Sequence, residues 1–89
     1  MKYKLLLTKK AKKDLSSLEK NIQKRIAKKL RFYISDNTPL KHAKKLRNSR
    51  LGEYRFKIGD YRAIFDVDKD GNIILLLILR IKHRKNVYL

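Results

Sequence analysis

The centre of the sequence reads YRFKIGDYRAIFDV over residues 54–67. On either side of Gly59-Asp60 every second residue is apolar or aromatic, and this period of two is typical of half-buried strands. Glycine readily adopts the positive φ that a two-residue hairpin turn requires. The segment therefore predicts a β-hairpin that turns at Gly59-Asp60 and packs one face on a core.

The same turn fixes which residues lie opposite each other. With Ile58 opposite Tyr61, Lys57 lies opposite Arg62, and Arg55 projects from the same face as Lys57. Like charges at opposed positions repel, because their Cβ atoms are only about 5 Å apart. Taken singly, each cation is compatible with a solvated strand surface. Because one turn fixes all three positions, together they favour a phosphate-binding site.

The composition predicts a single basic domain over residues 1–89. Lys and Arg number 25 against 8 Asp and Glu, and the net charge of +17 favours a polyanionic partner, either nucleic acid or an acidic protein. Cysteine is absent, which is compatible with a reducing cytoplasm. The longest apolar run, residues 73–79, is far shorter than the roughly 20 residues of a membrane span, so no membrane association is expected.

The N-terminal half predicts a strand followed by helices. Residues 2–8 alternate as a strand, and Thr8 is suited to cap a helix. Apolar residues then recur at three- and four-residue spacing as far as Ile34, opposite a basic side. The spacing allows one long helix, but a helical hairpin broken near Asn21 suits a small domain better. The basic side is interpreted as a solvated face, with contact to a nucleic-acid backbone as the alternative.

Further strands are predicted after the helices. Pro39 ends the helical region, and residues 40–51 are interpreted as a connector in which His42 lies at the surface. A turn at residues 69–72 leads into the run 73–79, whose continuous apolar character is typical of a central strand covered on both faces. Spacing leaves open which face is occupied by Arg80, Lys82 and Arg84.

The order of elements is strand, helix, helix and then three strands. It predicts a small α+β domain in which an antiparallel sheet of about four strands is packed on one side by an N-terminal helical hairpin.

The distribution of acidic residues argues against metal-dependent nuclease chemistry. Four of the acids lie in or near predicted turns, where Asp commonly makes local hydrogen bonds: Asp60, Asp66, Asp68 and Asp70. Two-metal cleavage requires clustered acids, so neither a metal nor a cofactor is expected. The cationic face, with His83 and Tyr88, suits cleavage of RNA by its own 2′-hydroxyl, because fixed cations stabilise the charge of the transition state.

Four segments together resemble the RelE/ParE family of type II toxins: residues 51–65, 83–88, 11–15 and 43–46. The resemblance implies the fold just described and a cytoplasmic toxin neutralised by a small, acidic, RelB-like antitoxin in a heteromeric complex. It also implies that the protein acts as RelE-like members do, which cut mRNA in the ribosomal A site without a metal and leave a cyclic phosphate and a 5′-hydroxyl.

The resemblance assigns roles by position. Arg62 and Arg84 are expected to stabilise the transition state, Tyr88 is expected to place the nucleotide, and Arg55 and Lys57 are expected to contact phosphates. Lys45 is a further candidate for phosphate contact, outside the active-site positions that match the family. Arg55 stands where a well-known bacterial member has a lysine suggested as the general base, and a guanidinium does not deprotonate at usable pH. Lys57 and His83 are the alternative candidates for that proton transfer.

Two other functions are compatible with the sequence. One keeps the fold but makes the protein a ParE-like toxin of DNA gyrase without RNA chemistry. The other is a plain RNA-binding module, for which the net charge would suffice without any catalytic geometry. The basic residues retained at the RelE-like positions, together with the tyrosine, favour the endoribonuclease, whose partners would be the ribosome and mRNA.

Overall fold

The computed structural model describes residues 2–46 and 50–87, which form two helices and five strands. The elements are β1 (Lys2–Leu7), α1 (Lys9–Ser16), α2 (Lys20–Ser35), β2 (Ala43–Lys45), β3 (Tyr54–Ile58), β4 (Tyr61–Asp70) and β5 (Ile73–His83). Short 3-10 turns follow α2 and β5, at Pro39–His42 and Arg84–Asn86. The strands form one sheet in the order β1-β5-β4-β3-β2. Neither of the two helices is long and apolar enough to cross a bilayer.

The central hairpin confirms the predicted turn and register. Gly59 has a φ of 59°, the left-handed conformation that glycine adopts without steric cost. Ile58 lies opposite Tyr61, and Lys57 lies opposite Arg62. The two-residue turn thus sets the pairing of β3 with β4 as the alternation predicted.

The helices cover one face of the sheet and form the core with it. Thr8 caps α1 as predicted, because its Oγ1 accepts a hydrogen bond of 3.1 Å from the amide of Ala11. The two helices are separated at residues 17–19, just before the break predicted near Asn21. The buried core includes Ala11, Ile26, Leu30, Tyr33, Phe56, Phe65, Leu76 and Ile78. These contacts confirm an α+β domain with helices packed on one side of its sheet.

The sheet differs from the prediction in strand number and direction. It has five strands, because Ala43–Lys45 within the predicted connector pairs with β3 as a short edge strand. It is mixed rather than antiparallel, because β1 runs parallel to β5. Alternation identifies strands without identifying their partners, and three residues are too few to show a period.

A β-bulge interrupts the pairing of β4 with β5. Ile64 lies opposite Arg80 while Phe65 lies opposite Ile78, so Leu79 is the extra residue. Ile78 faces the helices before the bulge and Ile81 faces them after it. The bulge therefore reverses the phase of the strand, a device that commonly re-aims side chains. The prediction that this strand is covered on both faces is only partly confirmed, because β5 alternates between buried and half-buried residues.

His42 is half-buried, which corrects the prediction that it lies at the surface. Its side chain is 24% exposed, and its ring stacks on Tyr33 with centroids 4.8 Å apart. Its Nε2 lies 2.8 Å from Oδ2 of Asp36. The carboxylate at the end of α2 therefore anchors the 3-10 turn to the helix, an interaction that the spacing of His and acidic residues did not reveal.

Candidate functional site

The face of the sheet opposite the core carries two rows of aligned residues, and we call it the basic face. Directly opposed residues project from the same side of a sheet, so the register defines each row. One row runs from β2 to β5 through Lys44, Arg55, Ile64 and Arg80. The neighbouring row contains Lys57, Arg62 and Lys82. Six of the seven residues in these two rows are cations. Five of the six are exposed or half-buried, and the sixth, Arg62, is buried.

Arg62 lies at the centre of this face and is only 8% exposed. Its Nη1 donates hydrogen bonds of 2.9 Å to the carbonyl oxygens of Gly59 and Tyr61. Its buried Nε has no hydrogen-bond partner among residues 2–46 and 50–87. A buried cation that ends on neutral carbonyls and keeps an unused donor is costly, because buried donors are normally satisfied.

The surroundings of Arg62 are positively charged. Burial lowers the pKa of its guanidinium, and the charges of Arg55 and Arg84 lower it further, against an opposing effect of Asp60. Lys57 and Lys82 flank it across the sheet. We refer to Arg55, Lys57, Arg62, Lys82 and Arg84 as the basic cluster.

Arg84 reaches the cluster because the end of β5 folds against the central turn. Its amide donates a hydrogen bond of 2.7 Å to the carbonyl of Asp60. Its Nε lies 3.7 Å from Oδ1 of the same aspartate, in an ion pair whose two side chains are 58% and 65% exposed. Such an exposed pair contributes little energy and leaves the guanidinium accessible to a ligand.

The structure thus brings Arg55, Lys57, Arg62 and Arg84 together, but not every sequence candidate. Lys45 lies opposite Tyr54, so it belongs to the side that carries the helices. Lys44 takes its place beside Arg55 on the basic face. Lys45, a predicted phosphate contact, therefore does not share a face with Arg55 and Lys57, whereas Lys44 does.

His83 is also directed away from the basic face. It lies opposite Tyr61 on the helix-covered side, and the two rings meet edge to face at 5.3 Å. Its Nδ1 accepts a hydrogen bond from the amide of Lys85. These contacts give it a structural role at the end of β5 and do not bring it to Arg62. Tyr88 lies outside the described residues.

Sequence reasoning missed three members of the basic face, Lys44, Arg80 and Lys82. Arg80 lies opposite Ile64, directly after the bulge. Lys82 joins Arg62 because of the bulge at Leu79, and no local signal marks that bulge. Lys44 joins Arg55 because of an edge strand three residues long. An alternation of cations at Lys44 and Arg55 becomes visible only once the pairing of β2 with β3 is known.

The basic cluster is suited to bind a phosphate and to stabilise added negative charge on it. Strand pairing fixes the backbone positions of Arg55, Lys57, Arg62 and Lys82. The guanidinium of Arg62 is also held by two main-chain carbonyls, so it needs little reorganisation when charge develops. In the part of the chain that the structure describes, no three His, Asp or Glu side chains come together as metal ligands.

Comparison with known proteins identifies the class to which this fold and site belong. The model of the ParE toxin of type II toxin–antitoxin systems matches residues 5–88. The chain therefore belongs to the ParE toxin family, within the RelE/ParE superfamily, and is a toxin of a type II toxin–antitoxin system. No protein of curated function matches the chain significantly.

Solved structures agree with the family. The chain is similar to the archaeal RelE–RelB complex of Pyrococcus horikoshii OT3, at 27% identity over 97% of this chain and 99% of that chain, with a TM-score of 0.66. The RelB–RelE antitoxin–toxin complex of Methanococcus jannaschii matches at 27% identity over 93% and 94% of the two chains, with a TM-score of 0.58. The RelBE2 complex of Mycobacterium tuberculosis shares the fold, at 24% identity over 94% and 100%, with a TM-score of 0.69.

Proposed function

We propose that this toxin is a ribosome-dependent, metal-independent endoribonuclease that cleaves mRNA in the ribosomal A site. The observation that carries the proposal is Arg62, a buried guanidinium with an unused Nε donor among like charges. Binding of a phosphate at this cluster would offset the repulsion between Arg62 and the charges of Arg55 and Arg84. The similarity to two archaeal chains named RelE supports a RelE-like rather than a ParE-like function.

The proposed reaction uses the RNA as its own nucleophile. The 2′-oxygen attacks the adjacent phosphorus, its proton passes to a base, and the bond to the 5′-oxygen breaks as that oxygen gains a proton. The products are a cyclic phosphate and a 5′-hydroxyl. Arg62 and Arg84 would stabilise the extra negative charge on the pentavalent phosphorus, while Arg55 and Lys57 would hold the neighbouring non-bridging oxygens.

Lys57 is the proposed proton acceptor. It is exposed and lies directly opposite Arg62, so it can approach a phosphate bound there. Arg55 is unsuitable, because guanidinium groups stay protonated. Tyr88 remains the predicted residue for stacking on a base or orienting the 2′-hydroxyl.

The natural partner would be an acidic antitoxin. The P. horikoshii and M. jannaschii relatives were solved as complexes with RelB, and a net charge of +17 favours a partner of opposite sign. We propose a RelB-like chain with an amphipathic, acidic segment, and a cytoplasmic site of action because the substrate is the translating ribosome. Co-expression with the neighbouring small reading frame should restore growth of cells that produce this toxin.

The decisive experiment is cleavage of mRNA in programmed ribosomes. We expect Arg62→Ala and Arg84→Ala each to slow cutting by about 10²- to 10³-fold, the usual effect of removing one preorganised charge. Arg31→Ala, which removes an exposed arginine of α2, is the matched control and should cut at nearly the wild-type rate. Undiminished cutting by both cluster variants would overturn the proposal, and ribosome binding without any cutting by wild type would favour a plain RNA-binding module.

Inhibition of DNA gyrase is the second candidate, because the matching family model is that of the ParE toxin. It predicts gyrase-linked DNA damage in cells that produce the toxin and no cleavage of mRNA on ribosomes. Measuring both in the same induced culture separates the two functions.

A further inference from the structure

A second cationic site lies beside the basic cluster. A cavity of about 370 Å³ opens where the first turn of α1 meets the bulge of β5 and the segment at residues 50–51. Among residues 2–46 and 50–87, four cations line it, Lys9, Lys10, Arg50 and Arg80, and no acidic residue does. The remaining lining comes from Thr8, Leu51 and Leu79.

Arg80 is held rigidly at the wall of this cavity. Its Nε and Nη2 donate hydrogen bonds of 2.8 and 3.1 Å to the two carboxylate oxygens of Asp14, which also accepts from the amide of Ile81. The bonds to Asp14 use Nε and Nη2 and not Nη1. Asp14 therefore fixes the plane of the guanidinium while leaving one edge available to a ligand.

The opposite wall is more adaptable. Lys9, Lys10 and Arg50 are exposed. Thr8 is held in place, because its hydroxyl donates to the carbonyl of Leu79 at 2.9 Å. A fixed arginine that faces three exposed cations across a cavity suits a strongly charged anion better than a neutral ligand.

The cavity is aligned with the basic cluster. Arg80 and Lys82 are two residues apart on the same face, as are Ile64 and Arg62 in the next strand. Two strand residues span about 7 Å, so Arg80 stands roughly that far along the sheet from the row of Arg62. Two anion sites at this spacing on one face match the repeating phosphates of a single nucleic-acid strand.

We propose that the cavity binds a second phosphodiester of the RNA strand, on the side of Arg80 and within a few nucleotides of the scissile bond. The inference rests on the proposed endoribonuclease function. It adds a subsite that holds the strand in register while the basic cluster acts on the neighbouring phosphate.

The test measures binding of a fully 2′-O-methylated uridine octanucleotide, which cannot be cleaved. Lys10→Gln with Arg50→Gln removes two cavity cations and keeps the contact between Asp14 and Arg80. Lys13→Gln with Arg31→Gln removes the same residue types from exposed helix positions outside the cavity and is the matched control. Thermal unfolding of both double variants verifies that they fold.

We expect the cavity variant to bind the octanucleotide about tenfold more weakly than the control variant, and its salt dependence, log Kd against log salt, to fall by about 1.4 for two lost contacts. Equal weakening in the two double variants would overturn the inference, since long-range charge alone would explain it. An octaglutamate peptide is the competing probe. If the cavity substitutions weakened binding of the peptide but not of the RNA, the site would belong to an acidic protein segment and the inference would be wrong.

Failure of the subsite and failure of the proposed function remain distinguishable. Specific loss of octanucleotide binding in a protein that does not cut mRNA would uphold the cavity as an RNA site and reject the reaction. Normal octanucleotide binding by the cavity variant, with cutting that depends on Arg62, would reject the cavity alone.

Discussion

Replacement of Arg62 by methionine should strongly slow the proposed cleavage of mRNA without destabilising the protein. Methionine is long and flexible enough to fill the space of the buried side chain. The folded protein disfavours the charge at this position, because burial and the charges of Arg55 and Arg84 lower the pKa of Arg62. Removing the charge therefore relieves an unfavourable contribution to folding.

The expected magnitude follows from the hydrogen bonds. A buried donor without a partner costs about 1–3 kcal/mol, and Nε of Arg62 is such a donor within the described residues. Two bonds from Nη1 are lost, but the carbonyl of Gly59 lies in an exposed turn where water can replace the guanidinium. We expect the free energy of unfolding to stay level or to rise by about 1–2 kcal/mol.

The assay combines urea denaturation with cleavage in programmed ribosomes. Cleavage should fall by about 10²- to 10³-fold in Arg62→Met, while Arg62→Lys, which keeps the charge but not the planar fork, should be intermediate. Arg31→Met removes an exposed arginine and should change stability by less than about 0.5 kcal/mol. A drop of more than about 1 kcal/mol in Arg62→Met would refute the reasoning, because Arg62 would then be a structural residue.

Three further predictions concern stability. The pKa of Asp36 is lowered from 3.8 to about 2, chiefly by its hydrogen bond to His42. The ionised carboxylate therefore stabilises the fold above its unfolded pKa, and this stabilisation is lost as the pH falls from 3.8 toward 2. Acid titration monitored by circular dichroism should therefore show a weaker loss of stability below pH 3.8 in Asp36→Asn than in wild type. Gly59→Ala places a side chain at a φ of 59° and should cost about 1–2 kcal/mol in urea denaturation; no loss would show that the turn rearranges. Gly52→Ala puts a Cβ 2.7 Å from Cγ2 of Ile64 and should lower the melting temperature through overpacking worth about 1–3 kcal/mol, whereas an unchanged melting temperature would mean that the buried isoleucine yields freely.

The parts of the fold that were predicted correctly depend on local signals. The turn at Gly59 and the cap at Thr8 involve residues within three positions of each other, so their geometry can be read from spacing. The parallel pairing of β1 with β5 joins Lys2 to the region of Ile73. No periodicity encodes that contact, because it depends on how the helices return the chain to the sheet.

The chain alone determined that Arg55, Lys57 and Arg62 share one face, because a two-residue turn allows a single register. Only the tertiary structure decided the rest of the site. The bulge at Leu79 turns Lys82 toward Arg62 and His83 away from it. Burial of Arg62 among other cations is likewise a property of the assembled sheet, since strands distant in sequence must meet before its Nε loses contact with water.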